Sequence, residues 1–201
     1  PCLNDAQGTT PFDAHYIYHT AWAARVLART RPASHIDISS SLYFVSIASA
    51  FVPITFYDYR PAPLTLGNLR CKRADLTSLP FADESVDSLS CMHVVEHIGL
   101  ERYGDPFSPQ GDIAAMRELA RVLGRGGRLL FAGWQKFTTT LTASTHTARS
   151  WRPLAPCILR NLPLSPTGEN LLRTVQKRKR SNRSTAAVAF FSENRSSLPA
   201  A

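Results

Sequence analysis

Apolar residues recur with helical and strand periods between residues 12 and 131, and these periods predict an alternating series of helices and strands. A helical period runs through "AHYIYHTAWAARVLART", with Asp13 as a suitable N-cap before it and Pro32 after it. Short runs of β-branched and aromatic residues, bounded by turn residues, predict strands. We expect five strands, at residues 35–38, 54–58, 69–75, 85–92 and 128–131.

Two further helices are expected between these strands, one in "SLYFVSIASAF" and one beginning near residue 112. Asp112 is the expected N-cap of the later helix. Its apolar face would hold Ile113, Met116, Leu119 and Leu123, and its end would lie at Gly124, Gly126 and Gly127. Strands that alternate with helices predict an α/β fold, Rossmann-like and doubly wound, with a mostly parallel sheet.

The chain changes character at residue 132. Residues 1–131 carry 12 Lys and Arg against 13 Asp and Glu, whereas residues 132–201 carry 11 against 2. The net charge of +8 therefore belongs to the second segment, and a nucleic-acid partner, which only the basic "KRKR" run would favour, is not expected. We expect a domain at 1–131 and a basic tail at 132–201 that is disordered or translated out of frame, which would leave the sheet incomplete at its C-terminal strands.

Composition excludes several other classes. The chain is 44% apolar, enough for one domain with a core, and the absence of Met at its start indicates a fragment. Its most apolar stretch, residues 43–57, is interrupted by Ser, Pro and Thr, so we expect no membrane partner. The four cysteines form no C-x-x-C pair, which favours reduced thiols and a cytoplasmic location.

Polar residues follow the first three predicted strands. In an open parallel sheet, ligands bind outside the carboxyl ends of the strands. Asp37 and Ser39 lie at the end of the first strand, and Asp58, 21 positions beyond Asp37, closes the second, where a carboxylate can accept two hydrogen bonds from a ribose diol. Asp75 and Leu76 follow the third. Each Asp taken singly is also a common helix-capping or turn residue.

Longer motifs point to a family. "DLTSLPFADESVDSLSCMHVVEHI" and "AMRELARVLGRGGRLLFA" resemble the class I S-adenosylmethionine-dependent methyltransferases. "HYIYHTAWAAR", "HIDISSSLYF", "YDYRP" and "SLSCMHVVEHIGLERYGDP" are similar to an uncharacterised methyltransferase-like family first named from Caenorhabditis. The resemblance covers roughly residues 1–131. It implies a Rossmann-like fold and S-adenosylmethionine as cofactor, with Asp37 and Ser39 by its methionine part, Asp58 by its ribose, and Asp75 with Leu76 by its adenine.

One motif departs from the superfamily. In the superfamily the first turn is glycine-rich, because the backbone must approach the ligand and adopt positive φ. In this chain the corresponding turn is "DISSS", which contains no glycine. Two interpretations follow. The chain is either a methyltransferase with an unknown acceptor or a non-catalytic binding or scaffold protein of the same fold.

The segment after the fourth strand holds the candidate catalytic residues. An active protein would position a small-molecule or glycan-like acceptor there, with a base available for an oxygen or nitrogen nucleophile. The candidates are His93, His97, Tyr103 and Asp105. The alternative is structural, with "RYGDP" serving only as a shaped turn.

His93, Glu96 and His97 also have the H-x-x-E-H spacing of some zinc enzymes. That use requires both histidines on one helical face and a third ligand from elsewhere, but the fourth strand is predicted to end just before His93. We therefore expect no metal site. His15 and His19 lie four positions apart among Tyr and Trp residues, which favours a helix face packed on the sheet.

Overall fold

The structure is a computed structural model that describes residues 8–133 and the backbone of residues 187–191. The basic run lies outside this described part, and so does most of the segment interpreted as an out-of-frame tail. The helices are α1 (Ala14–Thr30), α2 (Leu42–Ala48) and α3 (Gly111–Val122), with a short 3₁₀ helix at Val95–His97. The strands are β1 (His35–Ile38), β2 (Ile54–Asp58), β3 (Leu69–Arg73), β4 (Val86–Met92), β5 (Leu123–Ala132) and β6 (Ala187–Phe191).

The strands form one parallel sheet in the order β3-β2-β1-β4-β5-β6. The chain moves outward from β1 through β2 to β3 and then returns to the other side of β1 with β4. The strand order therefore reverses between β1 and β4, which is where such sheets bind ligands. This topology confirms the predicted Rossmann-like, doubly wound fold.

Helices cover both faces of the sheet, and each face has its own core. On one face α1 and α2 pack with Trp22, Phe44 and Val45 among the buried side chains. On the other face α3 packs through Met116 and Leu119. Because side chains alternate along a strand, β2, β4 and β5 each contribute to both cores.

The predicted N-cap of α1 is confirmed, because the Asp13 carboxylate accepts a hydrogen bond from the Tyr16 amide at 3.1 Å. The helix ends at Thr30, the last residue of the predicted stretch, before Pro32. Arg31 adopts a left-handed conformation with φ 43° and donates its amide to Leu27 O at 2.9 Å.

The boundary between α3 and β5 differs from the prediction in two respects. Asp112 is not the N-cap, since the helix begins at Gly111 and the Asp112 carboxylate bonds the adjacent Ile113 amide at 2.7 Å. Leu123 does not lie on the helix, because its backbone is already extended and opens β5. The three glycines thus belong to the strand segment, where the pairing with β4 shifts register between Val86 and Ser88.

Hydrogen bonds from side chains of α3 hold the loop before β4 against that helix. Arg121 donates to Leu79 O at 3.1 Å and to Phe81 O at 2.8 Å, and the Glu118 carboxylate accepts from the Leu79 amide at 2.8 Å. The loop and the helix belong to the two sequence motifs that carry the family resemblance. Charged side chains of the second motif therefore hydrogen-bond the backbone of the first.

The sequence did not predict β6. Its backbone lies within the segment interpreted as a tail, and it pairs in parallel with β5, from Arg128 with Ala187 to Ala132 with Phe191. Among the described residues, no helix has the length and apolar character needed to cross a membrane.

Candidate functional site

A cleft of about 640 Å³ opens at the carboxyl ends of the strands, beside the point where the strand order reverses. Its volume lies within the usual range for sites that hold small molecules. Eight of the nine residues proposed from the sequence line it: Ser39, Asp58, Asp75, Leu76, His93, His97, Tyr103 and Asp105. The ninth, Asp37, is fully buried beneath it. We call the first four residues the strand-end wall and residues 93–111 the loop wall.

The strand-end wall is shaped by carboxylates that bond nearby backbone. Asp58 accepts from the Arg60 amide at 2.7 Å, and Asp75 accepts from the Thr77 amide at 2.8 Å. Such bonds close turns directly after a strand and fix the direction of each carboxylate. Leu76, which is buried, supplies an apolar surface beside them.

Ser39 completes this wall in a conformation that suits glycine. Its φ of 53° is left-handed, which costs a residue with a Cβ roughly 1–2 kcal/mol. The Ser39 amide bonds Tyr57 O at 2.8 Å, and its hydroxyl donates to the same oxygen at 3.2 Å. The glycine-free turn therefore retains the backbone form that glycine usually provides, and the side chain turns back toward β2.

A buried chain of hydrogen bonds lies under the turn. Ser90 donates its hydroxyl to Asp37 Oδ2, so its oxygen must accept from His35 Nε2, which lies 2.8 Å away. His35 Nδ1 is then left to accept from the Ser88 hydroxyl at 2.8 Å. The other Asp37 oxygen accepts from the Ser40 amide at 3.0 Å. The two strands at the reversal point are thus joined by side chains on one face as well as by backbone.

Burial perturbs the ionisable members of this chain in opposite directions. It lowers the pKa of His35 to about 3 and raises the pKa of Asp37 to about 6. Hydrogen bonds from Ser90 and Ser40 oppose the shift of Asp37 without cancelling it. His35 is therefore neutral at neutral pH, as the direction of the hydrogen-bond chain requires.

The loop wall depends on contacts across the loop. Asp105 accepts from the Gly99 amide at 2.8 Å and from the Tyr103 amide at 3.1 Å. Burial alone would raise the pKa of Asp105, but these bonds lower it below its ordinary value. The Asp105 carboxylate is consequently held ionised as a turn-forming group that shapes the loop.

Tyr103 and His97 contact each other on this wall, with ring centroids 6.0 Å apart. The guanidinium of Arg60 lies 5.1 Å from the Tyr103 ring centroid and that of Arg102 lies 5.3 Å from it. Arg102 also donates to His97 Nδ1 at 3.2 Å, and burial lowers the pKa of His97. Tyr103 thus lines the cleft with two guanidinium groups beside its ring, and of these two arginines Arg60 also lines the cleft.

His93 has unexpected neighbours. It follows β4 with a left-handed φ of 60°, and its ring contacts those of His15 and His19 on α1, with centroids 4.2 and 4.7 Å away. Its Nδ1 lies 3.2 Å from Glu96 Oε1. We call these four residues the histidine cluster. His97 is not part of it, so among the described residues the H-x-x-E-H spacing does not mark one set of ligands.

Sequence reasoning treated the members of the cluster separately. The burial of His19 fits a helix face packed on the sheet, and burial lowers its pKa to about 4. Only the i, i+4 spacing of His15 and His19 could have signalled a shared function, because this spacing places two side chains on one helix face. His93 lies more than 70 positions away in the sequence, so local spacing could not identify it as the third partner.

Several solved structures are similar to this chain. The YcgJ protein of Bacillus subtilis is 20% identical over 61% of this chain and 67% of its own, with a TM-score of 0.42. A Haloferax volcanii complex of the Trm112 methyltransferase activator with a protein described as a methyltransferase gives 19% identity over 56% of this chain and 57% of the other, with a TM-score of 0.35. At these levels neither likeness bears on substrate or partner. A search of the curated proteins gives no match.

The family models give a more direct result. Residues 20–131, more than half of the chain, match the model described as the methyltransferase domain. The matched range begins on α1 and ends in β5, so it includes the sheet reversal and both walls of the cleft. The chain belongs to the methyltransferase domain family, within the class I S-adenosylmethionine-dependent methyltransferase superfamily.

Proposed function

We propose that this chain is an S-adenosylmethionine-dependent methyltransferase acting on a small-molecule or glycan-like acceptor. The observation that carries the proposal is the cleft, where four strand ends and the loop after β4 bring eight residues together in a chain with a methyltransferase domain. Within the superfamily we assign it to the methyltransferase-like family first named from Caenorhabditis. The free thiols of Cys71 and Cys91 support a cytoplasmic location.

The strand-end wall has the donors and acceptors that the cofactor needs. Asp58 would accept from the ribose hydroxyls, and Leu76 would contact the adenine while Asp75 lies at its edge. Ser39 would lie by the methionine part, above the buried Asp37. Bound S-adenosylmethionine supplies an electrophilic methyl group on a sulfonium sulfur.

The loop wall would hold the acceptor. His93 and Tyr103 are the residues that we assign to contact it, whereas Asp105 acts as a positioning residue because its carboxylate bonds the amides of Gly99 and Tyr103. The guanidinium groups beside Tyr103 favour an acceptor that carries hydroxyl or anionic groups. His97 lines the cleft beside Tyr103, and its Nδ1 accepts a hydrogen bond from Arg102.

A second function has one specific observation in its favour. Ser39 places a Cβ in a left-handed turn where the superfamily has glycine, and that Cβ would crowd a cofactor approaching the turn. A non-catalytic binding or scaffold protein of the same fold would tolerate such a turn. The two functions differ in whether S-adenosylmethionine binds.

Calorimetry with S-adenosylmethionine and S-adenosylhomocysteine tests the proposal. We expect saturable binding by the wild type, and Asp58→Ala should weaken it by at least tenfold, since a bidentate charged contact is lost. Asp87→Ala is the matched control, because Asp87 is an exposed carboxylate near the opposite end of β4 and should leave affinity unchanged. No heat and no thermal stabilisation at millimolar ligand would overturn the first function and leave the second.

A further inference from the structure

The histidine cluster brings three imidazoles to one point from two distant parts of the chain. His15 and His19 share a face of α1, and His93 lies at the end of β4. The His15 and His93 rings face each other through their Nε2 atoms. One ring nitrogen from each of the three histidines lies within 4.8 Å of the other two.

The Nδ1 atoms fix which nitrogens face inward. His19 Nδ1 lies 2.7 Å from His15 O, and because a carbonyl only accepts, this Nδ1 carries the proton. His93 Nδ1 lies 3.2 Å from Glu96 Oε1 and likewise donates to a carboxylate. In both rings the lone pair is therefore on Nε2. This arrangement, with Nδ1–H bonded to a carbonyl or carboxylate and Nε2 directed inward, is the one that metal-ligating histidines adopt.

The environment of Glu96 is independent evidence that a cation binds near His93. Its side chain is 10% exposed, and Oε2 is buried without a hydrogen-bond partner among the described residues. A buried carboxylate oxygen left in this way is costly unless a nearby positive charge compensates it. A cation bound by His93 would lie near the Glu96 carboxylate and would compensate its negative charge.

We propose that His15, His19 and His93 bind one divalent transition-metal ion of the zinc class through their Nε2 atoms, with Glu96 orienting His93. Zinc–nitrogen bonds of about 2.0–2.1 Å put two tetrahedral ligands about 3.3 Å apart, so small ring rotations are enough to close the site. Imidazole ligands suit zinc, copper and nickel better than calcium or magnesium. This assignment departs from the expectation of no metal site, which considered the H-x-x-E-H spacing and the His15–His19 pair separately.

The described residues supply three ligands, and a tetrahedral ion takes a fourth. Because His93 also lines the cleft, the fourth position belongs to the loop wall, where an oxygen ligand from water or from an acceptor hydroxyl would be bound. An ion there lowers the pKa of the oxygen ligand. Metal binding itself is independent of methyl transfer and is measured without cofactor or acceptor.

Metal binding by the full chain, stripped with a chelator, tests the site. We expect one equivalent of Zn²⁺ by calorimetry, and Co²⁺ in its place should give the intense visible absorption of a low-coordinate ion. His15→Ala should weaken Zn²⁺ affinity at least 100-fold, and its half-buried position limits the effect on folding. Glu96→Gln, which keeps the shape of the side chain, should weaken it about 10- to 100-fold.

His97→Ala is the matched control and should keep the affinity within about twofold, with circular dichroism confirming that each variant is folded. If His97→Ala abolished binding, the ion would instead belong to the H-x-x-E-H set and the proposal would be wrong. Wild-type affinity in folded His15→Ala, or no saturable Zn²⁺ binding by the folded wild type, would also overturn it.

Discussion

The two walls of the cleft are held by different kinds of contact. In the strand-end wall, Asp58 and Asp75 each bond a backbone amide two positions later, so the local chain sets their direction. In the loop wall, Gly99 approaches Gly111 closely enough that a Cβ on Gly111 would lie 2.9 Å from Gly99 Cα. The carboxylates of the strand-end wall are therefore directed by short-range bonds, whereas the loop wall exists only when distant parts of the loop pack together. We therefore expect mutations in the loop wall to cost more stability than mutations in or beneath the strand-end wall.

The largest effect should come from Gly99→Ala in the loop wall. Gly99 has a φ of 82°, and a Cβ there would lie 2.2 Å from Ser108 O, so the loop must open. We expect a loss of about 3 kcal/mol in the free energy of unfolding, measured by urea titration. Gly104→Ala is the control, because Gly104 has the same φ but nothing within 4 Å of its Cβ position, and it should cost only about 1 kcal/mol. Equal losses in both variants would show that the close approach is unimportant.

A smaller effect should appear beneath the strand-end wall as a change in pH dependence. His35 has a folded pKa of about 3, below the ordinary 6.5, so between these values the unfolded chain binds more protons and stability falls as pH falls. Asp37 has a folded pKa of about 6, above the ordinary 3.8, so the folded chain binds the extra proton and stability falls as pH rises. Between about pH 4 and 6 the two contributions oppose each other.

Asp37→Asn removes the pH-dependent contribution of Asp37 and keeps that of His35. Relative to the wild type, its stability should gain a slope of about 1.4 kcal/mol per pH unit between pH 4 and 6, rising with pH. Urea titrations of both proteins at several pH values measure the difference. Parallel curves would mean that Asp37 keeps an ordinary pKa in the folded chain and that the buried hydrogen-bond chain does not perturb it.

Ser39→Gly should have the smallest effect on stability, within about 1 kcal/mol. The substitution relieves the left-handed φ but loses the bond from the hydroxyl to Tyr57 O and adds freedom to the unfolded chain. Its informative effect is on S-adenosylmethionine affinity, measured by calorimetry. An increase would show that the serine Cβ obstructs the cofactor, as the non-catalytic function requires, whereas no change would show that the turn already accommodates it.

The predicted elements show which parts of the fold are local. The bounds of β1 and β2 agree with the prediction residue for residue, because short β-branched and aromatic runs end at turn residues. The prediction failed at Asp112 and Leu123. Capping and the helix-to-strand change there depend on the closed loop before α3 and on pairing with β4, and neither leaves a local pattern. The strand β6 was missed because its segment is surrounded by polar and basic residues.

The sequence by itself determined the fold class and the positions of polar residues at the strand ends, because hydrophobic period and turn chemistry act over a few residues. It also located the strand-end wall, whose carboxylates bond their own neighbours. Only the tertiary structure decided that His15 and His19 meet His93, that Asp37 joins His35 through Ser90, and that Asp105 shapes a loop. These contacts join residues on different elements or across a loop, and burial shifts the pKa values of His35 and Asp37 in ways that sequence spacing does not indicate.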